Sequence, residues 1–225
     1  GADRVEVCAD QSAGGTTPSI GLLAEIVETI PIEVMAMIRP RGGDFAYSRA
    51  ELAVMRRDII KAAEVGVEGV VFGVLTEEGY LDLEAMRELI AVAKEHSLEV
   101  TCHRAFDVAF QPLKFARDLV KLGVDRLLTS GQKPTALEGL DLIKELQKAV
   151  GQDLIIMPGV NITSSNVEKI LAAGVSELHV YNTEVVESKV KRSTDLTMGA
   201  PDYEETKRIR IDEQAIARLV QAVKD

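Results

Sequence analysis

The sequence of 225 residues contains no tryptophan, two cysteines and three histidines. Two cysteines in a chain of this length do not make a disulfide framework, and a reducing cytoplasm is the expected location. Basic residues are the minority: 26 Lys and Arg face 36 Asp and Glu, a net charge of −10. An acidic chain repels phosphate backbones, so nucleic-acid partners are not expected. No long Lys/Arg run offers a polybasic anchor. Apolar runs such as Val70-Val-Phe-Gly-Val-Leu75 fall far short of the roughly 20 residues that a membrane span needs. The opening Gly1-Ala-Asp-Arg does not read as a signal peptide. What is present in quantity is apolar residue, 46 % of the chain, enough for a sizeable core.

Two patterns alternate along the chain. Short β-branched runs predict strands at Arg4–Ala9, Ile32–Pro40, Gly69–Leu75, Glu99–Phe106, Arg126–Ser130, Leu154–Gly159 and Glu177–Asn182. Helical spacing predicts helices over Ile20–Thr29, Arg49–Val65, Leu83–His96, Pro112–Leu122, Thr135–Val150, Thr163–Ala173 and Asp212–Lys224. Ser48 with Glu51 three residues on forms a capping box, and Pro112 suits a first helical turn. Segments starting at Gly1, Gly66, Gly123 and Gly174 share one shape, a helix-ending glycine followed two or three residues later by a strand.

Strand–helix alternation implies a parallel sheet covered by helices. The expected fold is α/β, a TIM (β/α)8-type barrel formed as one domain over residues 1–225. Seven units are read where a closed barrel needs eight. Gly1 matches the cap that ends a helix, so a first strand and helix are expected to be missing. A complete seven-unit open sheet is the alternative. A doubly wound sheet competes less well, because no Gly-x-Gly-x-x-Gly turn follows the first strand.

In such barrels the working residues lie at the C-terminal strand ends. Alternation along a strand says which of them share the inner face. On the first strand Glu6 and Cys8 share parity and should face the mouth. Glu6 is either an acid–base group or the partner of a nearby arginine. Cys8 is either a soft-metal ligand or a small buried hydrophobe. The following Gly14-Gly-Thr-Thr-Pro-Ser is either an anion-cradling loop or a turn with an N-cap. On the second strand Arg39 shares the face of Met35 and Met37. Its rigid fork suits a carboxylate or phosphate, unless barrel carboxylates such as Glu6 occupy it. Arg41 and Asp44 follow in the loop. Met37 is a thioether ligand for a soft metal or a core residue.

The fourth strand ends Thr101-Cys-His-Arg-Ala-Phe-Asp. His103 faces inward as a proton carrier, a metal ligand or a structural histidine. Cys102 has the opposite parity and should pack against helices. Arg104 and Asp107 should meet at the rim. Later strand ends add Ser130-Gly131, Gly159 with Asn161, and His179 beside Glu177. The third histidine, His96, ends a helix. The catalytic candidates are therefore Glu6, His103, Asp107 and His179. The candidates for binding substrate are Arg39, Arg41, Arg104 and Ser130, and for a metal, Cys8. No Cys-x-x-Cys or His-Glu-x-x-His spacing marks a metal site. A thiolate nucleophile at Cys8 is disfavoured by its acidic neighbours.

Several motifs together resemble one family. These are Gly1-Ala-Asp-Arg-Val-Glu-Val-Cys, Gly14-Gly-Thr-Thr-Pro-Ser, Met37-Ile-Arg-Pro-Arg-Gly-Gly-Asp-Phe, His103-Arg-Ala-Phe-Asp, Leu128-Thr-Ser-Gly and Glu177-x-His. They are similar to the CutC family of copper homeostasis proteins, from residue 1 to about residue 200. The resemblance implies a (β/α)8 barrel, a cytoplasmic location, a homo-oligomer and a role in handling copper, with Cu(I) as the expected ligand. It also implies a further strand and helix ahead of Gly1, carrying a cysteine proposed for copper. Cys8 is the copper candidate that remains. Cys102 stands where the family usually has phenylalanine, and Gly159-Val-Asn161 replaces a glycine-rich stretch. The alternative function is a barrel enzyme acting on a small anionic metabolite. Arg39 and Arg41 would hold the anion there, and His103 with Glu6 would move protons.

Overall fold

The computed structural model describes residues 1–194, 196 and 204–224. Six strands form one parallel sheet in chain order: β1 (Arg4–Val7), β2 (Glu33–Met37), β3 (Gly69–Phe72), β4 (Glu99–Cys102), β5 (Arg126–Thr129) and β6 (Ile155–Pro158). The helices are α1 (Ile20–Thr29), α2 (Arg49–Val65), α3 (Leu83–Glu95), α4 (Pro112–Leu122), α5 (Leu140–Val150), α6 (Val167–Leu171) and α7 (Glu213–Lys224). Sequential parallel strands joined through helices curl the sheet into the α/β, TIM-barrel type.

Local signals explain most of the element ends. The Ser48–Glu51 capping box opens α2, and Pro112 is the first residue of α4. Asp212 caps α7 by accepting from Ala215 N–H at 2.9 Å. Gly66 and Gly123 end α2 and α4 with φ of 98° and 76°, left-handed values that cost glycine little.

The register keeps one set of side chains inside the barrel. Glu6 pairs with Met35, Met37 with Val71, Val71 with Thr101, and Leu128 with Met157. The opposite faces pack against the helices around Phe72, Phe106, Met55 and Ile59. Burying each such side chain contributes about 1.5–3 kcal/mol. Cys102 belongs to this outer core and is fully buried. Inside the barrel Met35, Met37 and Val71 form a separate small cluster, with Cys8 packed on it.

Four expected elements differ beyond their end residues. The fourth strand, expected through Phe106, stops at Cys102, because the His103 side chain caps a 3-10 helix over Arg104–Val108. Helix α5 starts at Leu140 rather than Thr135, because Gly139 packs directly on Ser130 and Gly131 and Thr135 is spent on a turn with Glu138. Helix α6 starts at Val167 rather than Thr163, because the Asn166 side chain binds Thr163 N–H and Asn161 O and holds a turn. The seventh strand, Glu177–Asn182, is reduced to one parallel bridge between Gly159 and His179. The chain then enters an unexpected antiparallel ribbon, β7 (Thr183–Glu187) with β8 (Lys207–Ile211).

Side chains rather than a ladder join this seventh segment to β1. Glu177 binds Arg4, His179 Nδ1 lies 3.8 Å from Glu6, and the Tyr181 hydroxyl bonds Gln11. Glu177 also accepts from Arg126 Nε at 2.8 Å, and Arg126 in turn binds Glu99. The N-terminal end of the barrel is thus laced by a chain of charges running from β1 through the seventh segment to β5 and β4.

Candidate functional site

A cavity of about 490 Å³ opens at the C-terminal ends of the strands. Barrels place their chemistry at this end. A wider depression of about 760 Å³ at the other end is lined by Arg4, Glu33, Arg126 and Glu177, which are engaged with one another. The mouth is lined mainly by apolar atoms, with a few polar groups converging on it.

Strand alternation brings Glu6, Cys8, Met37, Arg39, His103 and His179 to the mouth, and Arg104 and Asp107 to its rim. Arg41 and Ser130 do not line it. Arg41 turns away, donating to Glu51 at 2.5 Å and Asp44 at 3.1 Å, with its guanidinium over the Tyr47 ring. Ser130 is fully buried, and its hydroxyl serves the loop: it meets Lys133 O at 2.6 Å and Asp107 Oδ2 at 3.0 Å.

Asp107 is a structural hub. Its two oxygens accept from Arg104 Nε, the Thr129 and Ser130 hydroxyls, and the Ser130 and Gln132 amides. A carboxylate so thoroughly engaged orders the loop after β5 and has no oxygen left over for proton transfer.

Arg39 is 4 % exposed. Its Nη1 donates to Ala13 O at 2.7 Å and Gly15 O at 2.9 Å, and its Nη2 to Gly43 O at 2.8 Å. Backbone carbonyls of two loops therefore occupy the fork that a substrate carboxylate would have used, and neither Glu6 nor any other carboxylate pairs with it among the described residues.

His103 is equally buried, its ring 4.9 Å from that of Phe45. Its Nδ1 accepts from Ala105 N–H at 3.2 Å and caps the short 3-10 helix Arg104–Val108. Burial, with the charge of Arg39 behind it, pushes its pKa down to about 3. At neutral pH it is an uncharged donor through Nε2–H and does not carry protons. The pair Glu6 and His179 is better placed for that work, being partly exposed to the cavity.

Cys8 and Met37 meet over Gly15. The Cys8 Sγ and the Met37 methyl lie 3.4 and 3.6 Å from the point a Cβ on Gly15 would occupy. Burial and the Glu6 charge raise the Cys8 pKa, so its resting form is the thiol. Among the described residues no three or more His, Cys, Asp or Glu side chains gather as a metal site.

The sequence reading passed over Phe45, Gln11 and Tyr181, all of which line the mouth. Tyr181 carried a usable signal, since it shares parity with Glu177 and His179. Val160 also lines the mouth, with φ of 80°, and Asn161 follows at 56°. A β-branched residue in the left-handed region is strained by about 1–3 kcal/mol.

The comparisons agree with this architecture. The model of the CutC family matches residues 1–184. A family protein CutC from Photorhabdus laumondii is 44 % identical over 201 residues, 89 % of this chain and 80 % of its own. The human copper homeostasis protein cutC homolog is 45 % identical over 202 residues, 89 % of this chain and 73 % of its own. A crystal structure of CutC from Streptococcus agalactiae superposes with a TM-score of 0.75 at 35 % identity, covering 79 % of this chain and 88 % of that one. With the barrel, the mouth motifs and these matches in agreement, this chain belongs to the CutC family.

Proposed function

We propose that this protein serves copper homeostasis by taking Cu(I) as cargo at the barrel mouth, through the Cys8 thiolate and the Met37 thioether. The observation that supports it most is inside the barrel: Cys8 packs on the cluster of Met35, Met37 and Val71, and its Sγ and the Met37 methyl both approach Gly15. Thiolate and thioether are the ligands that select Cu(I). Cu(I) accepts two ligands, so a pair of sulfurs fits it where a cation needing three or four ligands finds too few. The names of the human and bacterial relatives point the same way.

Binding must displace a proton, because the thiol pKa is raised. Below that pKa, Cu(I) affinity therefore rises about tenfold for each pH unit. A competition titration with a Cu(I) chelator, anaerobic and under reductant, from about pH 6 to about pH 8, reads this slope. A flat profile would place the metal on ligands other than Cys8.

The reading includes the cytoplasm as the location, where reduced thiols and Cu(I) persist. Among the described residues no helix is long and apolar enough to cross a membrane. It also includes a homo-oligomer. Val185 and Ile209, cross-strand partners on the β7–β8 ribbon, are 66 % and 61 % exposed, an apolar pair that association would cover.

A second reading, a barrel enzyme acting on a small anionic metabolite, is favoured by the uncompensated Arg39 charge in the wall of the cavity. Glu6 and His179, 3.8 Å apart, would move the proton. Arg104 lines the rim with its Nε bound to Asp107 at 2.7 Å.

A further inference from the structure

The mouth holds a buried charge and a buried donor that the fold leaves unmatched. A guanidinium removed from water is costly without a counter-charge. The hydrogen-bond partners of the Arg39 Nη1 and Nη2 groups are backbone carbonyls, which leave its charge uncompensated, and its Nε–H is buried without a partner. His103 supplies the donor. Its Nδ1–Cε1 edge lies against Gly73, where an added Cβ would sit 2.9 and 3.0 Å away. Nδ1 is committed to Ala105 N–H, so the ring proton is on Nε2. That Nε2–H is buried without a hydrogen-bond partner. A buried donor left unmade is expensive, and native folds rarely keep one idle.

The geometry points to a subsite for a small monocarboxylate at the barrel mouth, one carboxylate oxygen accepting from His103 Nε2–H in the field of Arg39. This deepens the enzyme reading above by naming the ligand's recognised pole. It stands whether or not Cu(I) binds at Cys8. Charge decides between carboxylate and phosphate. Arg104 is already paired with Asp107 at 2.7 Å, and the Glu6 carboxyl also lines the cavity. A dianion would bring a second charge with no cation to meet it. Leu128, Val160, Met37 and Phe45 add apolar lining that suits a short hydrocarbon tail.

Phe45 lies beside both groups. Its ring is 4.9 Å from the His103 ring and 4.9 Å from the Arg39 guanidinium, and its carbonyl accepts from Leu75 N–H at 2.9 Å.

Saturation-transfer NMR on the whole protein tests this, with butyrate as the probe and butyramide and inorganic phosphate as comparisons. Two variants separate the roles of His103. His103→Asn can keep the acceptor that caps the 3-10 helix but has no donor at the Nε2 position. His103→Gln can place a donor there. Butyrate is expected to bind at least ~10-fold more tightly than butyramide or phosphate. His103→Asn is expected to lose roughly 10-fold or more, and His103→Gln to keep most of the affinity. The subsite is overturned if butyrate does not bind, if butyramide or phosphate equals it, or if folded His103→Asn matches the parent. Turnover is a separate readout: butyrate-class ligands that bind and are never converted keep the subsite and remove the enzyme reading.

Discussion

Cys8→Ser is expected to weaken Cu(I) binding by more than the roughly 100-fold that losing an outer-shell partner costs a metal site. The thiolate is the anionic soft ligand of the pair, and a serine hydroxyl is neither soft nor ionised at neutral pH. Packing should hardly change, because Cys8 is half-buried and serine differs by one atom. Met37→Leu keeps the volume in the Met35–Val71 cluster and removes the thioether alone, so a smaller loss of affinity with an unchanged melting curve is expected. Competition titration measures both. Equal Cu(I) affinity in Cys8→Ser and parent would remove copper from this mouth.

The second large effect concerns the side chains that join the seventh segment to β1. Glu177→Ala leaves Arg4 and Arg126 facing each other without the carboxylate that binds both. The Arg126 side chain is 8 % exposed, so its charge cannot simply rehydrate. Arg126 keeps Glu99 and Arg4 keeps Glu33, so the cost is about 2 kcal/mol, below that of a fully stranded buried charge. For a chain of this size that lowers Tm by about 4–8 °C. Arg4→Met with Glu177→Met should lose less than the two single changes combined, since matched apolar side chains leave fewer stranded charges. Urea or thermal unfolding reads both. A Glu177→Ala protein within about 1 kcal/mol of the parent would mean that the seventh segment is held by something other than this charge chain.

The parts of this fold legible in the sequence are those set by local chemistry. The β1 to β6 strands, the Ser48–Glu51 box and the Pro112 start follow from periodicity and capping. Parity along a strand was enough to put Glu6, Cys8, Met37, Arg39, His103 and His179 around one opening. The misses come from contacts between distant segments. Gly139 against Gly131 shortens α5, and nothing near Thr135 announces it. The weak pairing of Glu177–Asn182 reflects its place beside β1, where side chains replace backbone bonds. The β7–β8 ribbon had a local signal in the alternation of Lys207-Arg-Ile-Arg-Ile, which the reading did not use.

The same division holds within the mouth. An arginine late in a barrel strand reads as an anion clamp, but only the folded loops reveal that three carbonyls have taken its fork. An inward histidine reads as a proton carrier, but burial beside Arg39 makes it a neutral donor. Asp107 and Arg104 lie three residues apart in sequence, and their pairing was readable. That Asp107 also gathers Thr129, Ser130 and Gln132 from across the mouth was not.

The copper account is tested most directly by X-ray absorption at the copper edge on protein loaded with one equivalent of Cu(I) under anaerobic, reducing conditions. Cys8 and Met37 as ligands predict a low-coordinate first shell made of sulfur alone, lost in Cys8→Ser. A first shell of nitrogen and oxygen, or one unchanged in Cys8→Ser, would contradict the account.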